Sequence, residues 1–385
     1  MTAGGLVPPG VLEFVRREFG PEVEITGIAK PGSWAVARIC LAGGGAPPTV
    51  IAKWLRTGSD GWRTDPRQLH TEAVALRFTA ELAPDLVPEL LAADVDSSSG
   101  AVLLEDLAPR EPLDALIRRE GSEQTDGARL AFARAMGRLA ATTAGPDHDH
   151  ELQRRLGSRA AVDPAVRRLG ILGPPWERMR TIIEEFGVGV PAAAECEAIA
   201  LRALFAEPGP FLALSNGDMA TNNFMINITE PANGRMIDFE SAHYDHALSH
   251  PANFFVPGPP WMAINDPIAD RLEDQFRTAL TAGIPQAADD QRYHLGIAAG
   301  CVAMGFQRCG NLPVMDIRPP GDPSRTQRVL TLESAARAAE ARGRWTALTD
   351  LLRALATALR RRWPDVDVDL GSVRPYTPRL GWADC

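Results

Sequence analysis

Apolar and polar positions follow two different rhythms along this chain. Between residues 22 and 55, runs rich in β-branched and apolar residues (22–28, 35–41 and 49–55) are broken by Pro31-Gly32-Ser33 and by Gly43-Gly44-Gly45-Ala46-Pro47-Pro48. This pattern predicts three antiparallel strands joined by turns. A short helix over 11–19, closed by Gly20-Pro21, precedes them. A second helix is predicted over 68–82, followed by a strand pair over 86–94 and 101–106 linked by the polar turn Asp96-Ser97-Ser98-Ser99-Gly100. From Pro112 onward the spacing of apolar residues lengthens to a helical period. Helices are predicted over 113–119, 127–143, 176–186, 191–205, 268–282, 292–306, 326–342 and 345–363. Strands first and helices after make an α+β fold, with a sheet lobe over 1–107 and a larger helical lobe over 108–385.

One stretch of the helical half breaks the rhythm. Residues 211–244 hold two polar islands inside apolar runs: Asn216-Gly217-Asp218 with Asn223, and Asp238 between Ile237 and Phe239. The short apolar runs read as buried strands, which puts both islands at strand ends. Asn233-Gly234 lies between the strand candidates 224–228 and 235–238 and is a hairpin turn signal. Such a hairpin brings Asn223 and Asp238 together. Each of these residues taken singly is an ordinary turn residue; it is the set that points to chemistry. A carboxamide and a carboxylate side by side suit Mg²⁺ when substrate phosphates complete its shell. Asp218 then stands nearby to take a proton from a hydroxyl, the layout of phosphoryl transfer.

The pattern Asn216-Gly217-Asp218-x4-Asn223 followed by Ile237-Asp238-Phe239-Glu240 resembles the aminoglycoside phosphotransferase and choline kinase superfamily of small-molecule kinases. Two positions depart from it: Asn216 stands where that family usually has His, and His250 stands near where an Asp often braces the loop. The resemblance implies a two-lobed, protein-kinase-like fold, with Asp218 as catalytic residue and Asn223 and Asp238 as metal ligands. It also gives Lys53, which interrupts the apolar strand Val50-Ile51-Ala52-Lys53-Trp54-Leu55, the role of phosphate-binding lysine, with Glu72 on the next helix as its ion-pair partner. The turn ending at Ser33 is then expected over the nucleotide phosphates, although a plain hairpin turn fits the same residues. Leu103-Leu104-Glu105-Asp106-Leu107 resembles the hinge strand, placing the adenine edge at about Glu105 and Leu107.

Composition narrows the classes further. The chain has 385 residues, 45% hydrophobic and 23% charged, and a net charge of −9, which is unlike a general nucleic-acid binder. No apolar run reaches the ~20 residues that span a bilayer, and residues 1–10 lack the features of a signal peptide, so a cytoplasmic protein without a membrane partner is expected. The five cysteines are scattered and suggest neither a zinc site nor a disulfide framework. Asp147-His148-Asp149-His150-Glu151 reads as a solvated loop, and the i, i+4 pair His246 and His250 lacks the context of a zinc pair. The expected activity is transfer of a γ-phosphate from ATP, with Mg²⁺, to a hydroxyl of a small molecule. A hydroxyl-bearing antibiotic comes first, with choline, an amino-alcohol or a sugar as the alternative acceptor. A non-catalytic kinase-like binding protein is the alternative to an enzyme.

Overall fold

The computed structural model describes residues 7–29, 35–56, 64–95, 100–121, 123–159, 168–227, 229, 233–257 and 264–372. Helix α1 (Pro9–Phe19) leads into β1 (Glu24–Ala29), β2 (Val36–Ala42) and β3 (Thr49–Trp54), then α2 (Pro66–Leu82), β4 (Leu90–Asp94) and β5 (Ala101–Glu105). These five strands form one antiparallel sheet in the order β1-β2-β3-β5-β4. The expected strand over 86–94 begins only at Leu90, because Pro84–Leu86 forms a 3-10 turn at the end of α2. Alternation splits each strand between two environments. Ala101 and Leu103 pack with Val50, Ala52 and α1, whereas Val102 and Leu104 face α2 and join the core of the helical lobe. Helix α2, begun by an Asp65 and Gln68 capping box, therefore belongs energetically to both lobes.

After β5 come β6 (Glu111–Pro112), α3 (Leu113–Glu120), α4 (Asp126–Thr143) and α5 (Pro146–Leu156). Helix α5 corrects the reading of 147–151 as a solvated loop. Pro146 is pre-set for the first turn, Asp147 and Asp149 sit at the positive end, and Arg154 and Arg155 at the negative end. Leu152 and Leu156 supply the buried stripe, and Asp149 is itself buried. Helices α6 (Trp176–Glu185) and α7 (Ala192–Ala206) precede the stretch that holds the two polar islands, built from β7 (Leu212–Ser215), β8 (Phe224–Ile226), β9 (Gly234–Met236) and β10 (His243–His246). Beyond it lie α8 (Ala269–Thr281), α9 (Asp290–Cys309), α10 (Leu312–Asp316), α11 (Pro323–Glu340) and α12 (Thr346–Arg362). This two-lobed α+β architecture is the expected one.

The approach to α8 is fixed by a buried ion pair. Arg129 on α4 donates to Asp266 at 2.5 Å and to Asp126 at 2.6 Å, and the side chain of Asp266 has no exposed surface. Asp266 also accepts from the Ile268 N–H at 3.1 Å. Asp266→Ala strands a buried guanidinium and is expected to lower unfolding stability by about 3 kcal/mol. Urea denaturation followed by circular dichroism measures it; a loss below ~1 kcal/mol would show that Asp126 alone suffices.

Candidate active site

The candidate site begins where β7 pairs with β10, Ser215 opposite His243. At Gly217 the chain turns through φ +90°, and a Cβ there would meet the carbonyl oxygen of Ser241 at 2.5 Å. Only glycine makes this turn without displacing the neighbouring loop. The residues around it lock the loop. Ser215 Oγ accepts from the Gly217 N–H at 3.0 Å, Asn216 Oδ1 accepts from the Asp218 N–H at 3.1 Å, and Asn216 Nδ2 donates to the Ile237 carbonyl at 2.9 Å. The buried Asn216, the departure noted at the usual His, thus ties the Asp218 loop to the segment after β9 that carries Asp238.

Asn223 ends a single 3-10 turn, Thr221–Asn223. Its Nδ2 donates to the Asp218 carbonyl at 2.9 Å and to Asp218 Oδ2 at 3.1 Å, so its amide orientation is set by the Asp218 residue. β8 and β9 then pair as Phe224↔Met236, Met225↔Arg235 and Ile226↔Gly234. The hairpin exists, but Asn233-Gly234 is not its two-residue turn: Gly234 already lies in β9. The reason is steric, since a Cβ at Gly234 would meet the Phe224 ring at 2.0 Å. The Ile237 N–H donates to the Asn223 carbonyl at 3.0 Å, which brings Asn223 and Asp238 into adjacent positions. Asp238 has φ +63°, a conformation that Asp tolerates better than most residues.

Across the lobe junction, Lys53 on β3 donates to Asp238 Oδ1 at 2.5 Å and pairs with Glu72 on α2. Lys53 and Glu72 are buried, at 5% and 0% exposure. The structure therefore gathers Lys53, Glu72, Asp218, Asn223 and Asp238 at one place from positions up to 185 residues apart. The Asp218 side chain reaches solvent yet is hemmed in by the protein around it. Burial, seconded by the negative charge of Asp238, pushes its carboxyl above the usual range, while the Asn223 hydrogen bond and the positive charge of Arg308 pull the other way.

The other expected site residues fare differently. Ser33 lies outside the described residues. At the expected hinge, the Glu105 N–H donates to the Glu89 carbonyl at 2.9 Å and the Leu107 carbonyl accepts from the Arg110 N–H at 2.9 Å, so these two backbone groups serve the fold. Sequence reading missed the neighbour that fixes this segment: Asp106 takes a bidentate pair from Arg38 at 2.6 and 3.1 Å and accepts from the Ala108 N–H. It also missed Asn253, whose Nδ2 donates to the Met219 carbonyl at 3.0 Å and supports the loop beside Asp218. His250 meets Asp245 at 2.7 Å. Burial disfavours the Asp245 charge, but the neighbouring His250 holds its carboxyl below the usual range. His246 stacks on Phe211, and burial depresses its imidazole to about 4. The two histidines are thus absorbed by packing and by a hydrogen bond. No cluster of three or more His, Cys, Asp or Glu side chains suited to a metal occurs among the described residues, and no described helix is long and apolar enough to cross a membrane.

Neither a family model nor a curated protein matches this sequence. Solved structures do. The chain is similar to an ethanolamine kinase of Plasmodium vivax, at 12% identity and TM-score 0.45, over 80% of this chain and 78% of that one. It is similar to an APH(2'') protein in complex with GDP and kanamycin, at 12% identity and TM-score 0.46, over 88% and 99% of the two chains. A GDP complex of a mutant aminoglycoside 2'-phosphotransferase matches at 14% identity and TM-score 0.47, over 87% and 99%. What this chain does is read from its own side chains.

Proposed function

We propose that this protein is an ATP-dependent small-molecule kinase that transfers the γ-phosphate to a hydroxyl group. The observation that carries the reading is the convergence of a buried Lys53–Glu72 pair, the Asn223 and Asp238 oxygens and the solvent-reaching Asp218 at the junction of the lobes. Lys53, aimed by Glu72, binds the α and β phosphates as a point charge. Asn223 and Asp238 present an all-oxygen donor set at adjacent positions, which fits Mg²⁺ sharing its shell with phosphate oxygens. When bound, the ion neutralises charge on the β and γ phosphates. Asp218 orients the acceptor hydroxyl and takes its proton late, as the loose transition state collapses onto the new oxygen. Asn216 and Asn253 keep Asp218 at its place between the lobes. The segment that holds Glu105 and Leu107 then meets the adenine edge. Hydroxyl-bearing antibiotics, amino-alcohols and sugars are all acceptors for such a reaction.

The test is nucleotide-dependent stabilisation together with ADP release. At about 100 times its Kd a nucleotide adds about 2.7 kcal/mol to stability, so ATP with Mg²⁺ raises Tm by several degrees. Asn223→Ala removes the part of that shift that depends on Mg²⁺. A Tm indifferent to ATP in the presence of Mg²⁺ would overturn the reading.

A further inference from the structure

The five-stranded sheet turns one face to α1 and the other to the helical lobe, and the second face is only half covered. Pairing and alternation put Val36, Arg38 and Cys40 of β2 on the same side as Thr49, Ile51 and Lys53 of β3. Val102 and Leu104 of β5 continue that side and are buried against α2. Their neighbours on β2 and β3 are not. Val36, Arg38, Cys40, Thr49 and Ile51 are all half-buried, whereas Ala37, Ile39, Leu41, Val50 and Ala52 on the opposite side are buried with α1. Strand β1 adds no bulk here, since it sets Gly27 opposite Cys40 and Ala29 opposite Arg38. A Cβ at Gly27 would find only Cys40 within reach among the described residues, at 3.6 Å. Lys53, paired with Glu72 and Asp238, closes one end of this open strip.

An ion pair lies across the strip. The strands run in the order β2-β3-β5, so Arg38 on β2 and Asp106 just past β5 stand on either side of β3, and the bond between them crosses it. Arg38 Nε donates to Asp106 Oδ2 at 2.6 Å and Nη2 to Oδ1 at 3.1 Å, while the Ala108 N–H donates to Oδ1 at 3.1 Å. The two partners are unequally covered: the Asp106 side chain is 5% exposed and that of Arg38 39%. The acid is thus satisfied by the fold. The guanidinium, its plane set by two bonds, keeps Nη1 and more than a third of the side-chain surface open, a fork pre-organised for a flat partner. The crossing is level with Ile51, which pairs with Arg38 two positions before Lys53, and with Thr49 two positions further. That sets it ~7 to ~13 Å from the lysine along the strand. A nucleotide whose phosphates meet Lys53 has its base, one ribose away, at this crossing.

We propose that Arg38 is a nucleobase-binding residue, its guanidinium stacking on the purine of the nucleotide, and that Asp106 is the positioning residue that holds it there. This rests on the kinase reading above, which puts the phosphates at Lys53 and the base edge at the segment that holds Glu105 and Leu107. A guanidinium over a purine face gains cation–π attraction and stacking. Val36 and Ile51 add apolar neighbours, and Gly27 and Ala29 leave the ring room. Because both Asp106 oxygens already accept hydrogen bonds, the pair offers the base a cation that stacks and no acid that reads its edge. Its contribution to affinity belongs to the base and not to the phosphates, which Lys53 and the metal ligands serve.

Calorimetry on the full-length protein with Mg²⁺ compares ATP with inorganic tripolyphosphate, which carries the phosphate charge and no base. The parent binds ATP the more tightly. Arg38→Ala raises the Kd for ATP on the order of 10-fold, as loss of a stacked cation does, and leaves the Kd for tripolyphosphate unchanged. Arg38→Lys keeps the charge without the planar fork and recovers little of the loss. Asp106→Asn, which can still accept from the Ala108 N–H, weakens ATP in the same selective way. A Kd for tripolyphosphate that rises in step with that for ATP makes Arg38 a bare charge on the phosphates and overturns the proposal. An ATP affinity indifferent to Arg38→Ala overturns it as well. Should Arg38→Ala fail to fold with Asp106 left unpaired, the double variant Arg38→Ala with Asp106→Asn carries no such acid and is held to the same outcomes. A parent protein that binds neither ATP nor tripolyphosphate sinks the kinase reading and this proposal together. ATP binding whose margin over tripolyphosphate survives Arg38→Ala sinks this proposal alone.

Discussion

Asp218→Asn is expected to lower kcat by about 10³-fold, the central value for removal of a positioned proton acceptor, while ATP with Mg²⁺ stabilises the variant as it does the parent. The amide keeps the shape of the carboxyl and can still accept from Asn223 Nδ2, which donates to Asp218 Oδ2 at 3.1 Å. What it loses is the capacity to take the hydroxyl proton. Single-turnover ADP formation beside a thermal-shift titration separates the two effects. A drop of less than tenfold would remove Asp218 from the chemistry. The pH profile supplies a second check, with its sign fixed by the surroundings. Catalysis requires the ionised carboxylate, and burial with Asp238 raises its proton affinity above the ordinary value of 3.8. Activity is therefore lost, as pH falls, earlier than an exposed aspartate would lose it. Arg308→Gln removes an opposing positive charge and moves that acid limb to still higher pH.

The order of strands before helices was legible, and the five candidates Lys53, Glu72, Asp218, Asn223 and Asp238, which the structure brings together, each left a local trace. A lysine inside an apolar strand contradicts its neighbours, and Asn-Gly-Asp and Ile-Asp-Phe interrupt short buried runs. What escaped has no such trace. Asn233-Gly234 carries the composition of a tight turn, but Gly234 is there to admit the Phe224 ring, a contact decided by tertiary packing. Residues 147–151 look like a loop until Leu152 and Leu156 are seen to bury one side of a helix.

Lys53→Met is expected to abolish turnover to the same order, about 10²- to 10³-fold, through loss of a fixed positive charge at the phosphates. It is also expected to cost stability, and the two losses have different origins. With Lys53 gone, Glu72 is a carboxylate without exposed surface and without its cation, a defect worth about 3–5 kcal/mol. Asp238 is affected less, because a third of its side chain reaches solvent. The double variant Lys53→Met with Glu72→Met replaces the pair by apolar side chains of similar length, and replacements of that kind are often neutral in stability. Its Tm therefore returns toward that of the parent while turnover stays lost. If turnover returned with stability, Lys53 would be a packing element of the sheet lobe and no phosphate ligand. If stability failed to return, the defect would lie in the strand, where Lys53 sits opposite Val36 and Val102, and the ion pair would owe its burial to function alone.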